Sequence, residues 1–89
     1  MVGQWELAEM KIVDLPEKVA TAFNQALDDK VGAKFEPVLF CGEQIVHGIN
    51  YMFICKETLS DREGTKQLVK VVVNELDGAC KVVLIDRIL

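Results

Sequence analysis

A single histidine, and three cysteines with no Cys-x-x-Cys pair among them, leave this chain without the parts from which most catalytic and metal sites are assembled. Cys41, Cys55 and Cys80 are odd in number and scattered, which fits neither a disulfide framework nor a zinc site. They read as reduced, partly buried thiols. His47 with one of these cysteines is the one conceivable nucleophilic pair, but His47 is placed at a hairpin tip, where nothing shields or orients it. No catalytic residue is assigned, no metal ligand and no cofactor, and the chain is read as not an enzyme. The glycines are dispersed too: Gly3, Gly32, Gly42, Gly48, Gly64 and Gly78 form no glycine-rich loop that would cradle a phosphate. Positive charge is also short, with 10 basic against 14 acidic residues, a net charge of −4 and no basic cluster. That disfavours nucleic acid and anionic membranes as partners. No apolar run approaches the ~18–20 residues that cross a bilayer. Met1-Val2-Gly3-Gln4-Trp5-Glu6 turns polar too early for a secretory signal, so the expected location is cytoplasmic, or that of a mature form freed of its leader.

Hydrophobic residues at 51% and charged residues at 27% describe a chain that folds, and 89 residues support one domain spanning 1–89. A chain of this size buries roughly 60–70% of the surface that its unfolded form exposes, which is enough for one core. Asp14-Leu15-Pro16-Glu17 has the composition of a helix start: an Asp-x-x-Glu capping box with proline in the first turn. Beyond it Leu15, Val19, Ala22, Phe23, Ala26 and Leu27 recur every three or four residues, predicting one apolar stripe on a helix that runs to about Lys30 and stops at Gly32. Polar residues hold the other side, so the helix covers a sheet. Ahead of it, Trp5, Leu7, Ile12 and Val13 predict a short first strand, with Trp5 packing in the core or at an edge.

Four strands are predicted after the helix. Phe35 to Val46 is the first of them, made irregular by Pro37 and Gly42. Ile49 to Thr58 follows, with Ile49, Tyr51, Phe53 and Cys55 alternating against Asn50, Met52, Ile54 and Lys56. Leu59 to Thr65 is a polar connection. Lys66 to Asn74 and Cys80 to Leu89 are β-branched runs joined through Asp77-Gly78, a pair that supplies the positive φ of a tight hairpin. Tyr51 and the run Val71-Val72-Val73 belong to the core. The fold class is therefore α+β: a single helix across a curved antiparallel sheet of four to five strands, in the order β-α-β-β-β-β.

Gln44-Ile45-Val46-His47-Gly48, continuing into Ile49-Asn50-Tyr51, is a β-branched run closed by glycine at mid-chain, the pattern of a tight exposed reversal and a binding edge. This Gln-x-Val-x-Gly segment resembles the first inhibitory hairpin of the cystatin superfamily, especially of the stefins and short bacterial cystatin-like proteins. Gly3 stands where that family has its trunk glycine, Val19 to Asp29 looks like its helix, and Asp77-Gly78 falls where its second hairpin turns. Secreted members carry a Pro-Trp pair at the second hairpin; this chain has Glu75-Leu76-Asp77-Gly78-Ala79, and stefins lack the tryptophan as well. The resemblance implies a monomeric, reversible inhibitor of papain-like cysteine proteases that fills the active-site cleft with an N-terminal trunk and two hairpins. The contact residues it implies are Val2, Gly3, Gln44, Ile45, Val46, His47 and Gly48, with Leu76, Asp77 and Gly78 from the second hairpin. It further predicts that Gly48→Glu, or deletion of Met1 to Gln4, weakens inhibition without unfolding the domain. The competing reading is a cystatin-fold binding module without inhibitory activity, able to exchange strands into a domain-swapped dimer about a strained first hairpin.

Overall fold

The computed structural model describes Gly3 and residues 5–89 of the chain. One helix, α1 (Glu17–Leu27), is followed by β1 (Ala33–Val46), β2 (Gly48–Leu59), β3 (Lys66–Leu76) and β4 (Ala79–Arg87). The four strands form one antiparallel sheet in the order β1-β2-β3-β4. Alternation decides which face of that sheet is buried. Tyr51, Phe53 and Cys55 of β2 lie opposite Val73, Val71 and Val69 of β3 and project to one face, and all six are sealed from solvent. Val19, Ala22, Phe23 and Ala26 of α1 close over this face. Leu15 and Leu27 flank them, so the whole predicted stripe packs inward. Phe53 is the centre of the aromatic core, edge-on to Phe23 at 4.9 Å and stacked on Phe40 at 5.4 Å.

The sheet is not straight. Register shifts between Pro37 and Leu39 and between Phe40 and Gly42 put bulges in β1, where proline and glycine marked irregularity. Asp61 organises the polar connection between β2 and β3 by accepting from both the hydroxyl and the amide N–H of Thr65. Those bonds, with one from the Gly64 amide, hold the Asp61 carboxyl below its usual range. Among the described residues no helix is long and apolar enough to cross a membrane.

Three expectations need correction. Among the described residues no strand forms ahead of the helix: residues 5–16 are without regular structure, and the order is helix and then four strands. Val13 does donate its N–H to the carbonyl of Pro37 at 2.9 Å, on the open edge of β1. A residue's N–H and C=O point to the same edge of a strand, and Pro37 has no N–H to return, so a ladder cannot continue from that bond. The helix also starts later than a capping box at Asp14 requires. Leu15 precedes a proline and is therefore pushed out of the α region. Pro16, at ψ 147°, takes the cap position without a side-chain hydrogen bond, and its carbonyl accepts from Ala20 at 2.8 Å. At the other end the helix stops at Leu27, not near Lys30. Asp28 and Asp29 bring negative charge to the negative end of the helix dipole, and the last turn has no basic residue to offset them. Trp5, finally, is 79% exposed and packs neither in the core nor against an edge.

All three cysteines are free, and they differ in burial: Cys41 is exposed, Cys80 half-buried and Cys55 sealed beneath the helix. Burial pushes the Cys55 thiol up to about 12, with the nearby Cys41 adding to the rise. Burial, then the charge of Glu75, raises Cys80 as well. A thiol that ionises near 9 when unfolded but near 12 when folded stabilises the fold fully below pH 9, and that contribution falls away as pH rises through 12. Urea unfolding followed from about pH 8 to about pH 11 should therefore show a falling midpoint, and Cys55→Ala should flatten the slope. An unchanged slope in that variant would place the alkaline sensitivity elsewhere. Alkylation of the native protein should reach Cys41 first and Cys55 last.

Candidate functional site at the hairpin end of the sheet

Because β1 to β4 run up and down in sequence order, the β1–β2 and β3–β4 reversals fall at the same end of the sheet. Ile49 of β2 lies opposite Glu75 of β3, and each stands two or three residues from its own turn. The first reversal is sharp. Ile45 pairs with Ile49 and Val46 with Gly48, which leaves His47 alone at the apex. Ile45 and Val46 are 77% and 43% exposed, so this tip presents two β-branched apolar side chains to solvent. Gly48 makes the bend at φ +88°, and its absent side chain is what lets the second hairpin approach. A Cβ built there would stand 2.3 Å from the Glu75 carbonyl oxygen and 3.1 Å from the Leu76 Cβ.

In the second reversal Asp77 and Gly78 both have positive φ, +51° and +83°, the pair of angles that matches a two-residue hairpin to the twist of its strands. The Glu75 carboxylate fastens this turn by accepting from the Gly78 N–H at 2.8 Å. Leu76 pairs with Ala79 at the base of the turn and is half-buried.

Two asparagines join the hairpins. Asn74 on β3 donates through Nδ2 to the His47 carbonyl at 3.2 Å and to Asn50 Oδ1 at 3.0 Å, and Asn50 donates in turn to Gln44 Oε1 at 3.3 Å. Gln44, Asn50 and Asn74 thus form an amide row across β1, β2 and β3 on the face away from the helix. Asn50 was expected only as part of the strand that continues the first hairpin, and neither asparagine was expected among the contact residues. The signal was nonetheless present, since asparagine is disfavoured in strands and here interrupts the runs Ile49-Asn50-Tyr51 and Val73-Asn74-Glu75.

The structure brings together Gln44, Ile45, Val46, His47, Gly48, Leu76, Asp77 and Gly78 from the expected set. An open groove between the tips is lined by Val46, His47, Asn74, Leu76, Lys81 and Val83. Gly3 has a positive φ of +89°, with nothing within 4 Å of the Cβ it lacks. Val2 lies outside the described residues, as do Met1 and Gln4. The Gly48 contact alters one expectation: Gly48→Glu would strike the backbone of the neighbouring hairpin, so it does not probe the tip without disturbing the fold. No family model, curated protein or solved structure matches the chain.

Proposed function

We propose that the paired hairpin tips are the binding edge of a reversible inhibitor of papain-like cysteine proteases, with Ile45 and Val46 entering the cleft and Leu76, Asp77 and Gly78 resting beside them. The observation that supports this reading is the coupling of the two tips. The Asn74 bond to the His47 carbonyl and the close fit of Gly48 against Glu75 make one composite surface from two loops. A tip whose two arms are paired with each other up to Val46 and Gly48 loses little conformational entropy when it docks, so apolar contact by Ile45 and Val46 contributes to affinity rather than to ordering the loop. The mechanism asks for no reactive group and no cofactor. It asks only that a rigid wedge fit a cleft.

Titration of papain with the purified protein tests the proposal. Inhibition should be reversible and stoichiometric. Val46→Asp should weaken it by roughly tenfold or more, the loss of one central apolar anchor, while leaving the unfolding temperature nearly unchanged because the side chain is exposed. Absence of inhibition at concentrations of tens of micromolar would refute the reading. Affinity unchanged in both Ile45→Glu and Val46→Asp would show that the tip is not the contact surface.

A further inference from the structure

The two edges of the sheet are finished differently. β1 is broken by Pro37 and two bulges, and Val13 occupies its Pro37 carbonyl. β4 runs nine residues without proline, from Ala79 to Arg87, and leaves Val83, Leu84 and Ile85 exposed at 53%, 39% and 38%. Its continuation is fixed in place. Ile88 and Leu89 donate to the Leu68 carbonyl and Leu89 accepts from the Leu68 N–H, so the chain stays bonded to β3 through Leu89. A long apolar edge of this kind is a template for another strand.

The details of β4 say which strand. Val72 lies opposite Leu84 and Val73 opposite Val82, so Val83 is an extra residue, a bulge. Lys81 and Asp86 are five residues apart, but they face Asn74 and Lys70, which are four apart on β3. The bulge therefore puts Lys81 and Asp86 on the same face, away from the helix, and puts Val82 and Ile85 together on the core face. This pattern reads the same from either end. When two such strands run antiparallel, Lys81 of each meets Asp86 of the other, Val82 meets Ile85, and Val83 and Leu84 of both copies gather at the two-fold axis. A straight strand lacking the bulge and the opposite charge would meet an unmatched lysine and a misaligned ladder. A second copy satisfies both.

We propose that two copies of this chain associate through their β4 edges, antiparallel about a two-fold axis beside Val83 and Leu84, to form a continuous eight-stranded sheet. The apolar row Met52, Val72 and Leu84 on the face away from the helix would then cross the interface without a break. Lys81 and Val83 also line the groove beside Val46, whereas Leu84 and Asp86 do not, so dimerisation lost in Leu84→Lys and inhibition lost in Val46→Asp are separate readouts.

Sedimentation velocity from low micromolar to near-millimolar protein tests it, with thermal unfolding of each variant as a check on folding. The wild type should show a rapidly reversible monomer–dimer equilibrium. Lys81→Asp and Asp86→Lys should each weaken the dimer by about tenfold, since each replaces two attractive cross-strand pairs by two repulsive ones. The double variant Lys81→Asp with Asp86→Lys should restore it. Leu84→Lys, which brings two like charges to the axis, should give monomer throughout. A monomer at every concentration would overturn the proposal, as would a dimer indifferent to both the Leu84 and the charge variants. So would a dimer that persists for hours on dilution, the behaviour of exchanged strands. Should Leu84→Lys fail to fold, the failure of the double charge reversal to restore association would be decisive by itself.

Discussion

Gly48→Ala is expected to lower stability by about 2–4 kcal/mol, a fall of roughly 10–25 °C in unfolding temperature for a domain of this size. Two penalties combine at this one position. A residue with a side chain held at φ +88° carries the strain of the left-handed region, by itself about 1–2 kcal/mol. The added methyl also meets the Glu75 carbonyl oxygen at 2.3 Å, and that atom is backbone in a paired strand, unable to swing away as a side-chain end would. Either the tip lifts from the second hairpin, losing the Asn74 bond to the His47 carbonyl, or β3 moves and disturbs its pairing with β2 and β4. Gly78→Ala separates the two penalties. Gly78 has a similar φ of +83°, but nothing stands within 4 Å of its missing Cβ, so only the conformational cost of about 1–2 kcal/mol applies. Thermal or urea unfolding of both variants should show Gly48→Ala the more damaging, and equal losses would mean that the hairpins are not in close contact. Any loss of inhibition in Gly48→Ala has to be read against this structural damage, which makes the exposed Val46 the cleaner probe of function.

The sheet was legible in the sequence because each of its signals is local. Alternation in Ile49 to Thr58 assigns faces to β2 without reference to any other strand, and Asp77-Gly78 fixes a two-residue turn by its own backbone preference. The helix stripe was legible for the same reason, although its ends were not. At the start, the capping pattern of Asp14 and Glu17 competes with the restriction that Pro16 imposes on Leu15, and the restriction prevails. The missing first strand was not legible, because it depends on a partner. Ile12 and Val13 have strand character, but whether they pair is decided 24 residues beyond Val13, by a proline at the facing position of β1. The site divides in the same way. The tips were found from their turn residues, whereas Asn50 and Asn74 acquire their role only through the register of β2 on β3, which sets them opposite one another.

Phe53→Ala is expected to cost about 3–5 kcal/mol, the largest effect of any single substitution considered for this chain. Phe53 is wholly enclosed on the second of four strands, and it is in contact with aromatic rings from two other elements, Phe23 of α1 and Phe40 of β1. Truncation removes the apolar area of the ring from the core and leaves a cavity that its neighbours are poorly placed to fill. Val71 opposite it is already fully buried, and the helix above is seated by Val19, Ala22 and Ala26 as well. A loss of this size is a large fraction of the roughly 5–15 kcal/mol that holds such a domain together, so the variant should be partly unfolded at 37 °C or close to it. Coupling distinguishes the ring contacts from simple area loss. In a double-mutant cycle with Phe23→Leu, the edge-on pair at 4.9 Å should give about 0.5–1.5 kcal/mol of interaction energy, because either substitution alone removes the same aromatic contact. Additive losses would mean that Phe23 and Phe53 contribute only buried surface. The consequence reaches the hairpin end of the sheet, since β2 carries both Phe53 in the core and Gly48 and Asn50 at the tips. Weakening the anchor of β2 beneath α1 should therefore also loosen the hairpin pair, and hydrogen exchange at the tip amides should speed up in Phe53→Ala well below its unfolding temperature.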